Sequence, residues 1–375
     1  MKDAINRDIK RFMCLLFLIT VLFNNTAHSS NPDSQSSLSI RDVSVSRDSF
    51  NPSSGEKVEI RFNLSEKARV TLKLYDFDGD MVASICEEKE MEKGAHLILW
   101  DGRDQSGGIV PDEAYFFTIE AKQGNDSAIY DPTAFSGGIT HEIEMIKVSP
   151  EQNQIEYSLP EQGRVSIKAG IVNGPLLAIP VDWEPRTKGL HHEYWDGMDQ
   201  NRLFSVLDNP RYQLRASYFT LPENTIITKG NKSITYSQYK LNQKVNEPKK
   251  TITIKRKSIL SAPLYTSGVL FSRAPVIEVI FPDAQLTENR IPVFKGKMPL
   301  KIDLSEDSKP FLSHKQYEIY FFINHAFLTE DPQIKLPYET VLEVEGYTIG
   351  SYILSVNVIG PGGQVGIKNK KILLQ

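Results

Sequence analysis

Cysteine is scarce in this chain: two residues in 375, Cys14 within an apolar N-terminal run and Cys86 well inside the chain. Once the N-terminal run is removed a single thiol remains, so no internal disulfide can form and packing alone must hold the fold. Cys86 reads as a buried, inert thiol, with an intermolecular bridge as the alternative. Several chemical signatures are missing too. There is no CxxCH for covalent haem, no HExxH, no G-x-S-x-G and no glycine-rich loop opening a helix, which leaves haem, zinc-protease, hydrolase and phosphate-cradle chemistry without their marks. His191 and His192 are adjacent, so on a strand they point to opposite faces and cannot share a metal. Charge of one sign is also lacking: 43 Lys and Arg against 47 Asp and Glu give −4, which excludes a strongly basic nucleic-acid binder. Beyond residue 29 no apolar run reaches the ~18 residues of a membrane span, so no transmembrane segment is expected after signal cleavage.

What is present describes a globular chain, 40% hydrophobic and 24% charged, with 18 Phe and 15 Tyr. Lys2, Arg7, Lys10 and Arg11 precede the apolar run 12–23, and Ala27-His28-Ser29 offers small residues at the two positions that a signal peptidase reads. Residues 1–29 are therefore expected to be a secretion signal and the mature protein to be extracytoplasmic: periplasmic, at the cell surface or secreted. Cys14 lies too early for a lipobox. Residues 30–39 are polar and read as a flexible leader.

From Val58 the pattern has period two. Val58, Ile60, Phe62 and Leu64 alternate with Glu59, Arg61 and Asn63, and Val70, Leu72 and Leu74 alternate with Thr71 and Lys73. One apolar face per strand predicts half-buried antiparallel strands. Asp76-Phe77-Asp78-Gly79 predicts a hairpin turn, Gly94 opens a strand to Trp100, and Tyr115, Phe117 and Ile119 mark another. The module then recurs. Leu64 corresponds to Leu159, Arg69-Val70 to Arg164-Val165, Gly79 to Gly174, and Trp100-Asp101-Gly102 to Trp195-Asp196-Gly197, all 95 residues apart. Such an unbroken register indicates an internal duplication. Tyr115 and Tyr212 are 97 apart, so the second copy gains two residues in its last loop.

Both copies resemble the immunoglobulin-like domain of flagellar hook-capping (FlgD-type) proteins, which also occurs in tandem in secreted bacterial proteins. The resemblance rests on Phe50-Asn51-Pro52, the run 70–76, Gly79, Trp100-Asp101-Gly102-Arg103-Asp104, Gly107 and Tyr115. It covers residues 40–122 and, with fewer of these marks, 141–219. It implies a β-sandwich of Ig type. Hook-capping proteins lack a cleaved signal and carry an additional N-terminal assembly region, which argues against a flagellar role for this chain.

Residues 220–273 read as a connecting segment with short strands, among them a β-rich run at 251–254. A third sandwich is expected over 274–375, from alternation at Ile277, Val279 and Phe281, at Leu300, Ile302 and Leu304, at Tyr317, Ile319 and Phe321, and at Leu354, Val356 and Val358. Gly350-Ser351-Tyr352 looks like a tyrosine corner, Asn324-His325 a turn, and 360–363 a hairpin. The expected fold class is all-β: three Ig-like or fibronectin-like sandwiches in tandem after a cleaved signal peptide, over 40–123, 141–219 and 274–375.

The candidate sites divide by chemistry. Trp100, Asp101, Gly102 and their copies Trp195, Asp196, Gly197 read as structure: the indole plugs the sandwich, the Asp closes an Asx turn and Gly supplies positive φ. Calcium held by Asp101, Asp104 and Asp112 is the alternative. Asp76, Asp78 and Asp80 predict a solvated hairpin tip, since the copy has Ile171, Asn173 and Pro175 there. Lys249, Lys250, Lys255, Arg256 and Lys257 form the one basic patch, either protecting an edge strand or meeting an acidic partner or anionic polysaccharide.

No nucleophile, base or metal set converges, so no cofactor is expected. The reading is a non-enzymatic secreted or cell-envelope scaffold, adhesion or assembly protein working through contacts with other envelope or extracellular proteins. The alternatives are a glycan-binding module, which would need Phe116, Tyr194 or Tyr239 exposed in a platform, and an accessory chain of an envelope enzyme complex.

Overall fold

The computed structural model describes residues 38–246 and 274–375, and these build three two-sheet β-sandwiches. In the first, Ile40–Val45, Val58–Leu64 and Gly94–Trp100 form one antiparallel sheet. The facing sheet runs Ser49–Phe50, Ile226–Thr228, Ala114–Gln123, Ala68–Asp76, Met81–Met91, with Asp126–Tyr130 also pairing Ala114–Gln123. Val58, Ile60, Phe62 and Leu64 meet Val70, Leu72, Leu74, Tyr115, Phe117 and Ile119 in one core, as the period-two pattern requires. Leu38, which composition assigns to the leader, is buried in this core.

The second sandwich repeats the plan. Lys147–Ser149, Gln154–Leu159 and Gly189–Tyr194 face a sheet ordered Leu176–Arg186, Gly163–Ile171, Tyr212–Thr220, Thr140–Glu142. In the third, Ile277–Ile280, Lys297–Leu304 and Tyr338–Glu343 face six strands ordered Gln285–Leu286, Pro292–Phe294, Val365–Leu374, Gly350–Ile359, Tyr317–Ile323, Ala326–Ile334. The Tyr352 hydroxyl donates to the Thr348 carbonyl at 2.9 Å and the Tyr115 hydroxyl to Pro111 at 2.9 Å, each four residues upstream. Asn324 and His325 have φ of 45° and 69°, the positive values of a two-residue hairpin turn.

The duplication extends to individual hydrogen bonds. Trp100 Nε1 donates to the Arg103 carbonyl and Trp195 Nε1 to the Met198 carbonyl, both at 3.0 Å. The Asp101 carboxylate accepts the Arg103 amide at 3.2 Å, and Asp196 accepts the Met198 amide at 3.1 Å. The Gln105 amide reaches the Val82 carbonyl, and Gln200 reaches Leu177. His96 lies 5.5 Å from the ring of Phe62, and His191 lies 5.5 Å from Tyr157. Each pair is related by the same 95-residue step. Gly102 and Gly197 sit at φ of 75° and 79°, where a side chain would be strained. At Gly102 a Cβ would also collide with Pro52, so the Phe50-Asn51-Pro52 and Trp-Asp-Gly marks belong to one packing unit.

After the second module the chain returns to the first. Ile226–Thr228 joins its sheet, pairing Ile226 with Tyr115 and Ile227 with Ser49. The helix Tyr236–Asn246 follows. The Thr235 hydroxyl accepts the Gln238 amide at 3.2 Å while the Gln238 side chain accepts the Thr235 amide at 3.1 Å, a reciprocal capping box.

Candidate interaction surfaces

The helix corrects the expectation of a solvated Asp tip. Asp76 is fully buried, and its carboxylate accepts the Tyr236 hydroxyl at 2.9 Å and the Lys240 amine at 2.8 Å. Asp78 also accepts Tyr236 at 2.9 Å, Asp80 accepts Lys240 at 2.5 Å, and Asp104 accepts the Tyr239 hydroxyl at 3.1 Å. Tyr236, Tyr239 and Lys240 stand at i, i+3 and i+4, so one helix face delivers all three. Burial pushes Asp76 up against the pull of Lys240. Burial works to lower Lys240, but Asp76 and Asp80 outweigh it and hold the amine above its ordinary range. Burial and the charges of Asp76 and Asp78 push the Tyr236 hydroxyl far up, so it stays a donor. The overlooked signal was Thr235…Gln238, the capping box of a helix with few apolar residues.

The corresponding end of the second module is covered by the third. Asn357 donates to the Leu176 carbonyl at 2.9 Å and accepts its amide at 2.8 Å. Asn369 donates to Asp199 at 2.9 Å, and its own amide reaches the Asn201 side chain at 2.6 Å. His325 packs 5.1 Å from Phe204.

The outer edges are different. Gly94–Trp100 and Gly189–Tyr194 are the last strands of their three-stranded sheets. They turn Leu97 (50% exposed) and Leu99 (49%), and Leu190 (61%) and Tyr194 (72%), toward solvent. The edge Met81–Met91 instead carries exposed Glu87, Glu88, Lys89 and Glu90, the charges that discourage strand addition.

The calcium candidates are not brought together. Asp101 binds its own loop at Arg103, Asp104 accepts from Ser106, Gly108 and Tyr239, and Asp112 accepts the Gly230 and Asn231 amides at 2.8 and 2.7 Å. Among the described residues no group of three or more His, Cys, Asp or Glu is arranged to hold a metal, and no helix is long and apolar enough to cross a membrane. Trp100 and Trp195 are both buried. Of the aromatics a glycan platform would need, Phe116 and Tyr239 are buried and Tyr194 is exposed. Cys86 is half-buried, with burial raising its thiol. Lys249, Lys250, Lys255, Arg256 and Lys257 lie outside the described residues. A cleft of about 490 Å³ is lined by Phe77, Asp78, Tyr236, Lys240, Phe311 and Lys315 among others. Its Asp78 and Lys240 are already engaged in the helix contact.

The family model described as FlgD Ig-like domain matches residues 48–125. The basal-body rod modification protein FlgD of Salmonella typhimurium is 32% identical over 68 residues, 18% of this chain and 29% of that protein, and FlgD of Salmonella typhi matches to the same extent. The chain thus spans under a third of the length of these relatives. Among solved structures, a tetra-tandem repeat from the extending region of a large adhesion protein aligns over 90% of this chain and 74% of its own at 9% identity and TM-score 0.20. The chicken CNTN1 FN1–FN3 domains align over 90% and 98% at 10% identity and TM-score 0.18. Likeness at these scores carries no functional meaning. The hairpin, the Trp-Asp-Gly loop and the two facing sheets fall on the residues that the family model matches, and the stretch 48–125 of this chain is a FlgD-type immunoglobulin-like domain.

Proposed function

We propose that this chain is a non-enzymatic scaffold, adhesion or assembly protein of the cell envelope or extracellular space, working through protein contacts of its tandem modules. The observation that carries the reading is the pair of equivalent edge strands, Gly94–Trp100 and Gly189–Tyr194, that present apolar side chains without protecting charges on that strand face. An open edge offers backbone N–H and C=O groups to an incoming strand, and the apolar side chains beside it add contact area. A glycan-binding role is less well supported, because Tyr194 alone of the three aromatics is exposed. The basic residues Lys249, Lys250 and Arg256 are proposed as a second contact, for an acidic partner or surface polysaccharide.

The test replaces Leu97 and Leu99, and separately Leu190 and Tyr194, by Lys in the full chain. Exposed substitutions of this kind stay within roughly 0.5 kcal/mol of the parent in stability, so the fold is retained and cross-linked capture of the envelope partner is lost. Capture that persists in both variants rejects these edges as the contact. Turnover of an envelope polymer by the purified chain rejects the non-enzymatic class. Export is checked by N-terminal sequencing from the native host, which should begin near Ser30; recovery of Met1 rejects it.

A further inference from the structure

We infer that the acidic end of the first module, built by the tip of the 76–80 hairpin and the Trp-Asp-Gly loop, is a docking site for a helix presenting tyrosine, tyrosine and lysine at i, i+3 and i+4. The chain's own helix Tyr236–Asn246 fills this site, and the external partner is a helical segment of another protein with the same three side chains that competes for it. The inference rests on the protein-contact reading and names a site and a partner chemistry for it.

The first ground is that the same end is used twice. Asp104 and Asp199 are 95 residues apart, and the Oδ2 oxygen of each accepts from a later element of the chain: Tyr239 at 3.1 Å on Asp104, Asn369 at 2.9 Å on Asp199. The next contacts also correspond, with the helix on the 76–80 tip and Asn357 on Leu176 beside the equivalent tip. Two copies of a module that receive unrelated elements, a helix and a sheet, at one end mark that end as the docking surface.

The second ground is complementarity. The first module's end carries Asp76, Asp78, Asp80 and Asp104, whereas the copy has Ile171, Asn173 and Pro175 at its tip. Two ends of one shape therefore differ in charge, which separates a cationic helix from the neutral amides of the third module. The third ground is how the helix is held. Its 11 residues fall short of the ~12–15 at which even good helix formers persist alone. Of the residues whose side chains are described, Tyr236, Tyr239 and Lys240 are the buried ones. All three are joined to carboxylates by charge-assisted hydrogen bonds, which are directional and reproducible by any helix with the same spacing.

The experiment uses a fluorescent peptide of residues 233–246 and the full chain. Lys240→Glu with Tyr236→Phe sets a fourth negative charge against the tip and releases the internal helix. The peptide is expected to bind this variant at least ten-fold more tightly than the wild type, with binding lost when Asp76→Asn and Asp80→Asn are added. A peptide carrying Lys240→Glu should not bind. If the releasing variant does not fold, Tyr239→Phe with Lys240→Gln takes its place. Failure of the peptide to bind any folded helix-released variant, or binding indifferent to the aspartates, overturns the inference. Peptide binding without capture of an envelope partner keeps this inference and removes the scaffold reading, whereas partner capture by the wild type without peptide binding does the reverse.

Discussion

Arg164 of the second module and Glu113 of the first form an ion pair at the junction of the two, with side chains 1% and 0% exposed, and the guanidinium lies 4.0 Å from the ring centre of Phe77. Arg69, the equivalent residue in the first copy, is 53% exposed and stands 3.6 Å from Glu88. The duplication kept the arginine and changed its surroundings. At the surface such a pair contributes roughly 0–1 kcal/mol, while in the junction loss of one partner strands a buried charge.

Glu113→Gln is therefore expected to destabilise the protein by about 3–5 kcal/mol, read from urea unfolding. Arg69→Gln should shift the same curve by less than ~1 kcal/mol. Equal shifts for the two would show that the junction pair is not what locks the modules.

The two indoles should behave as equivalent plugs. Trp100→Ala and Trp195→Ala are each expected to cost about 3–5 kcal/mol, and each should lower the calorimetric transition of its own module while that of the third stays in place. Parent-like melting of both variants would remove the structural role of the Trp-Asp-Gly loop.

The second module should lose stability in acid through Glu193. Burial works to raise this carboxyl, but Arg186, bonded at 2.7 and 2.9 Å, and the Tyr157 hydroxyl at 2.8 Å outweigh it and hold it below the ordinary 4.5. A carboxyl with a lowered folded value stabilises fully above its unfolded value, and that contribution disappears as pH falls through the folded one. Melting temperature should therefore fall on acidification below about 4.5, and Glu193→Gln should flatten this dependence. An unaltered slope in the variant would refute the assignment.

His325 should make the contact between the second and third modules acid-sensitive. Its buried Nδ1 has no hydrogen-bond partner among the described residues. Burial and the charge of Arg211 lower its affinity for a proton, with Asp199 opposing. The separated state then takes up the proton first as pH falls below the ordinary 6.5, so the contact weakens from there downward. Small-angle scattering should show expansion between pH 7.5 and 5.5 in the parent and none in His325→Phe. Identical profiles would reject the histidine as the cause.

The amino-acid sequence by itself determined the strands and their repetition. Val58, Ile60, Phe62 and Leu64 declare a buried face because side-chain direction alternates residue by residue, and the 95-residue step declares two copies because each turn needs its own Trp, Asp and Gly. Those are local requirements, written within a few residues. The Tyr236–Asn246 helix was less legible: its capping box is present, but its described inward face is two tyrosines and a lysine, which no hydrophobic period reveals. The fate of Asp76, Asp78 and Asp80 was decided only in three dimensions. Their charges suit a solvated tip until Lys240, 164 residues beyond Asp76, arrives to neutralise them. Arg69 and Arg164 make the same point, since identical local sequence leaves one arginine in water and seals the other against Glu113. Local pattern specifies which way a side chain points; what meets it there depends on how distant parts of the chain pack, because burial and charge pairing are properties of neighbours in space.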